Sequence, residues 1–167
     1  NWITIGLIFS LGGDILLDIP EQQLANQFVL GLGSFLIGHL AYVIAYTSDT
    51  RRLAPLALLL AIAFGGSMLY VLNSKPDGLG PLLIPVTLYA LTISAMLWRA
   101  LARSGVAGIP QASVRLASVG ALLFVASDGM IGINKFVQPF EEAKYAIIIT
   151  YWLGQFGIAA SAMRRTT

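Results

Sequence analysis

Phe9-Ser10-Leu11-Gly12-Gly13-Asp14-Ile15-Leu16-Leu17-Asp18 sets two carboxylates four residues apart in an otherwise apolar run. In a helix that spacing puts Asp14 and Asp18 on one face. An ionised Asp at the centre of a bilayer helix costs about 2.5–3.5 kcal/mol. A chain carries that cost where the carboxylate faces a polar cavity or a partner, so the stretch predicts both a membrane helix and a site beside it.

Composition agrees. Of 167 residues, 57% are hydrophobic and 11% charged, where a soluble domain has about a quarter charged. A net charge of +2 without a basic, aromatic-interleaved patch argues against nucleic acid as a partner. There is no cysteine, so neither a disulfide framework nor a thiolate metal site is available. With one histidine as well, a metal centre has little support and no cofactor is expected. Walker and dinucleotide fingerprints are missing, as are a signal-peptide n-region and cleavage site.

Six apolar runs follow, at 2–17, 28–46, 53–72, 79–98, 114–133 and 145–163. Each is near the ~20 residues needed to cross the hydrocarbon core, and none alternates as a barrel strand does. The expected fold is all-α: a polytopic transmembrane helix bundle, one integral-membrane domain over residues 1–167. The absent initial Met and the short first run predict an N-terminus cut short. Turn-forming residues punctuate the runs, as in Asn73-Ser74-Lys75-Pro76-Asp77-Gly78. Arg51, Arg52, Arg99, Arg103, Arg115, Arg164 and Arg165 fall on one side. Lys75, Lys135 and Lys144 fall on the other, with Asp18, Glu21, Asp77, Glu141 and Glu142. The positive-inside rule then puts both ends of the chain in the cytoplasm, in a bacterium within the inner membrane.

On that topology Asp14, Asp18, Tyr70, Asn73, Asp128, Asn134, Lys135, Tyr151 and Gln155 reach similar depths in the outer half. His39 lies near the midplane on a stripe Phe35-His39-Tyr42-Tyr46. Polar groups from at least four helices thus converge, as at a buried site between helices. Each also has a plain structural reading. Asp14 and Asp128 could bond across helices, Asp18 could lie at the interface, and His39 could be a satisfied core histidine. Tyr42 and Tyr46 could pack, and Lys135 could snorkel. Gly31, Ser34 and Gly38 read as close-approach residues. No nucleophile elbow or serine–histidine spacing is found. What remains is carboxylates, one imidazole, tyrosines and amides, groups suited to proton transfer.

Four blocks resemble one family. They are Gly13-Asp14-Ile15-Leu16-Leu17, Gly31 to Tyr42 with Phe35 and His39, Ala121 to Asp128 followed by Asn134-Lys135-Phe136, and Tyr151-Trp152-Leu153-Gly154-Gln155. In order along apolar helices they are similar to the YhhN family of membrane lysoplasmalogenases. The resemblance implies eight helices in the whole protein, two of them preceding this chain. It also implies a lysophospholipid substrate drawn from the membrane, cleaved at its vinyl ether bond to a fatty aldehyde and a glycerophospho-alcohol. Such an ether is protonated at carbon and then captures water, so it requires an acid and a base but no serine, cysteine or metal. Asp14, Asp128 and His39 are the catalytic candidates. Tyr42, Asn134, Lys135, Tyr151, Gln155 and Asp18 are the substrate-binding ones.

Two other functions fit intramembrane carboxylates. A small proton- or solute-coupled transporter would use them as relay sites, yet the chain shows no internally repeated halves. A non-catalytic bundle would gain only about 0.6–2 kcal/mol per interhelical hydrogen bond, little against several inserted carboxylates.

Overall fold

The computed structural model describes residues 1–76 and 78–163; Asp77, Arg164 and Arg165 lie outside the described residues. Six α-helices appear: α1 (Trp2–Asp18), α2 (Gln27–Asp49), α3 (Pro55–Leu72), α4 (Leu83–Ala102), α5 (Gln111–Gly132) and α6 (Ala143–Met163). A 3₁₀ turn, Gly80–Leu82, leads into α4, and a π-helical segment, Ile133–Val137, ends α5. No strand occurs among the described residues.

Local chemistry sets the limits. Asn1 caps α1, its side-chain oxygen accepting from the Ile3 amide at 3.0 Å. Pro20 follows the end of that helix, where a ring that cannot donate stops a helical run. Pro55 occupies the first position of α3, where its missing N–H costs nothing. Among the described residues five helices, including α4 with its leading turn and α5 with its π segment, are long and apolar enough to cross a membrane. The 17 residues of α1 rise about 25 Å, a little short of the ~30 Å core. The first run was expected to be the short one, and Pro20 ends α1 on its C-terminal side.

The chain is an integral membrane protein, and its exposed surface is that of one. Leu56, Leu59, Ile62, Ile84 and Trp152 all point outward. The helices pair α1 with α2, α2 with α4, α4 with α5 and α5 with α6, and α6 returns loosely to α1. α3 lies outside this ring, packed chiefly on α4. Small residues permit the closest approaches. A Cβ on Gly120 would meet backbone atoms of Gly154 and Ile158 at 2.8 Å, and Gly31 and Gly38 receive Leu17 and Ser10 of α1 in the same way.

The two ends differ. At the arginine end, Arg99 and Arg103 are buried rather than displayed. The Arg99 guanidinium donates to Thr47 Oγ1 at 3.1 Å, to the Arg52 carbonyl at 2.8 Å and to the Thr50 carbonyl. Arg103 pairs with Asp49 at 2.7 Å, lies over the Tyr46 ring and donates to Ser113 Oγ at 2.7 Å; Ser113 in turn donates to the Ser161 carbonyl. α2, α4, α5 and α6 are thereby tied together. The opposite end is open, and the carboxylates lie towards it.

Candidate active site

Asp14 projects from α1 into a side cleft between α1 and α6, whose walls include Asp18, Phe35, Asp128, Tyr151 and Trp152. A directed run of hydrogen bonds ends on it. Tyr42 Oη donates to Gln155 Oε1 at 2.9 Å. Gln155 Nε2 donates to Tyr151 Oη at 3.2 Å, and Tyr151 Oη donates to Asp14 Oδ2 at 2.7 Å. Because the Tyr42 proton is committed to Gln155, the 3.4 Å contact between Ser10 Oγ and Tyr42 Oη has Ser10 as donor. Every donor in the run therefore points toward the Asp14 carboxylate.

Asp128, from α5, is held from the other side. Tyr89 Oη of α4 donates to Asp128 Oδ2. Asp128 borders the α1–α6 cleft and also a second, largely apolar cavity between α2, α3, α4 and α5. Leu17, Phe35, Asp128 and Ile131 are common to both spaces, so Asp128 stands in the partition between them.

Behind the carboxylates lies a packed aromatic layer. The Phe124 ring centroid is 4.7 Å from His39 and 5.2 Å from Tyr151, and Phe35 is 6.1 Å from Tyr151. His39 is fully buried in this layer. Its Nδ1 lies 2.7 Å from the Phe35 carbonyl, which can only accept, so Nδ1 carries a proton, and Nε2 has no hydrogen-bond partner among the described residues. His39 meets Tyr42 and Tyr89 edge-on and makes no hydrogen bond to either aspartate among the described residues.

The expected site residues thus fall into three groups. Asp14, Asp18, Asp128 and Tyr151 share the cleft, with Asp18 exposed at its outer edge. Tyr42, Gln155 and His39 stand one layer back. Asn134 and Lys135 lie on the π segment. Asn134 Oδ1 accepts from the Phe140 amide at 3.2 Å and fixes the loop there. The Lys135 ammonium lies 4.5 Å from the Phe28 ring centroid and 5.9 Å from that of Phe136, two rings at the rim of the apolar cavity. Tyr70 is 80% exposed and faces away, and Asn73 closes the following loop on Leu69 and Leu79; neither joins the site. Tyr89 was not anticipated. Its signal was weak but present: with Val86 and Ile93 it forms a period-three-to-four face of α4, at the depth of Asp128.

Residues 1–162 match the model of the YhhN family. Human lysoplasmalogenase TMEM86B is 37% identical over 159 residues, which are 95% of this chain and 62% of that protein. A lysoplasmalogenase of Mycobacterium tuberculosis is 36% identical over 164 residues, 96% of this chain and 59% of its own length. Human lysoplasmalogenase TMEM86A is 34% identical over 165 residues, 96% and 65% respectively. The chain therefore spans about 60% of the length of the relatives it matches. No solved structure gives a significant match.

Proposed function

Since the chain belongs to the YhhN family, we propose that the protein carrying it is a membrane hydrolase that cleaves the vinyl ether of a lysoplasmalogen or related ether lysolipid. The observation that carries this reading is the pair Asp14 and Asp128, each receiving a tyrosyl hydrogen bond and both facing one cleft. The relatives named lysoplasmalogenase supply the substrate class.

The chemistry asks for an acid on one side of the alkene and a base for water on the other. Asp128 borders the apolar cavity, and it delivers a proton to the β-carbon of the vinyl ether. The C=C pair forms the new C–H bond, and the cation is shared between the α-carbon and the ether oxygen. Asp14, at the end of the donor run, takes a proton from water as its oxygen bonds to the α-carbon. As the hemiacetal C–O bond breaks, Asp14 returns its proton to the leaving glycerol oxygen and Asp128 takes the hydroxyl proton, leaving a fatty aldehyde, an alcohol and both carboxyls as they began. Tyr151 and Gln155 orient Asp14, and Tyr89 orients Asp128. Tyr42 and His39 support that layer, and Lys135, Asn134 and Asp18 meet the polar head at the outer rim.

The arginine end faces the cytoplasm by the positive-inside rule, so the cleft opens in the outer half of the membrane, in a bacterium that of the inner membrane. The test is aldehyde release from lysoplasmalogen by the purified, reconstituted full-length protein and its Asp14→Asn and Asp128→Asn forms. Release by the parent and a loss of about 10²-fold or more in each variant is expected. A folded parent that releases no aldehyde overturns the hydrolase reading and directs attention to proton or solute flux.

A further inference from the structure

The apolar cavity beside Asp128 is open at its rim, where Phe28 and Phe136 carry the Lys135 ammonium. Its inner end is Ser94, five residues along α4 from Tyr89, or about 8 Å further in. A lipid chain covers half the hydrocarbon core, about 15 Å. A chain with its reacting end at Asp128 is therefore longer than the space beyond that residue.

The continuation is visible in the fold. A second apolar space lies on the membrane-facing side of α3 and α4 and runs toward the arginine end, past Leu58 and Trp98. Gly65, Ala90 and Ser94 line both spaces. The wall between them is thus a seam of small residues where α3 lies directly on α4, a Cβ on Gly65 falling 2.4 Å from Ser94 Oγ. Ser94 is 8% exposed, and its Oγ has no hydrogen-bond partner among the described residues although it is buried. A hydroxyl left unbonded costs about 1–3 kcal/mol, so nothing polar holds the seam shut.

We propose that the inner cavity and the α3–α4 groove form one track for a single unbranched hydrocarbon chain, which crosses the seam at Gly65, Ala90 and Ser94 as α3 parts from α4 there. The inference rests on the hydrolase reading for the position of the reacting end. The head of the lipid lies at the Lys135 rim, the vinyl ether at Asp128, and the chain end in the bilayer beside α3. The track so placed takes one chain, and its prediction is that a lysolipid enters it and a diacyl lipid does not.

The chain contains no cysteine, which makes the seam directly testable. A Cβ built on Gly65 lies 3.4 Å from Ser94 Cβ, close to the ~3.5–4.5 Å of a disulfide. The Gly65→Cys/Ser94→Cys protein is prepared full length and compared oxidised and reduced, with crosslinking read by mass. On oxidation, kcat/KM for a long-chain lysoplasmalogen should fall at least tenfold relative to a short-chain analogue, and the ratio should recover on reduction. An unchanged ratio overturns the track, and so does equal loss for both lengths. Binding of a non-cleavable single-chain alkyl ether lysophospholipid, read as a thermal shift, separates the two readings. If the reduced form binds it and the oxidised form does not, the track stands even where no vinyl ether is cleaved. Equal binding of both forms, or equal binding of a diacyl phospholipid, overturns it.

Discussion

Asp14 and Asp128 differ in what stands behind them. Asp14 ends a run of four donors, whereas Asp128 takes one hydroxyl from Tyr89. A hydrogen bond to a charged group contributes about 1.5–3 kcal/mol, so Tyr151→Phe and Tyr89→Phe should each lower kcat/KM by roughly 10- to 100-fold. Tyr42→Phe acts through Gln155 and Tyr151, and its loss should be smaller than that of Tyr151→Phe. Equal losses would mean that the run does not end on Asp14. The acid and base assignment also fixes the shape of the pH profile. An essential base makes kcat/KM rise with pH, and an essential acid makes it fall. Residual activity in Asp14→Asn should therefore lose the rising limb, and in Asp128→Asn the falling limb. The reverse would exchange the two roles. Asp14, Asp128 and Gln155 were legible in the sequence because a polar group in an apolar run is itself the signal. Tyr89 was not, since a tyrosine in an apolar run reads equally as a packing or interface aromatic.

Helix limits were nearly as legible, because proline, glycine and polar clusters interrupt the apolar runs. The π segment was not: Asn134-Lys135-Phe136 carries no signal for an i→i+5 bond, such as that from the Gln138 amide to the Ile133 carbonyl. Glycines at helix contacts were visible as candidates, but which helix each one admits is settled only by packing. That partner decides what a substitution does. An Ala at Gly120 presses on the backbone of α6, which cannot turn aside. Overpacking of this kind costs about 1–3 kcal/mol. Gly120→Ala should therefore lower the apparent melting temperature in detergent and leave turnover per folded molecule near that of the parent. An Ala at Gly6 meets the Tyr42 ring instead. A ring can tilt, and tilting draws its hydroxyl from Gln155. Gly6→Ala should lower kcat with a smaller thermal shift. The opposite ranking in the two assays would sever the link between the α1–α2 contact and the donor run.

At the scale of the whole molecule the bundle is polar in a literal sense. One end is closed by buried arginines, and the other carries the cleft and the cavity rim. No pattern in the sequence told which helices are neighbours, because apolar runs of similar length can be arranged in many rings. α3 reads like its siblings yet lies outside. Charge placement, by contrast, was legible as far as the described residues go. All three lysines, Lys75, Lys135 and Lys144, fall at the cleft end, and the described arginines fall at the other. This asymmetry makes orientation measurable without any substitution. A membrane-impermeant amine reagent applied to sealed vesicles should modify these lysines when the outer face is exposed. Vesicles of inverted orientation should show little modification, with peptide mass spectrometry locating the labelled sites. Labelling confined to inverted vesicles would put the cleft on the cytoplasmic side. The substrate would then have to come from the inner leaflet, and the arginine end would face outward against the positive-inside rule.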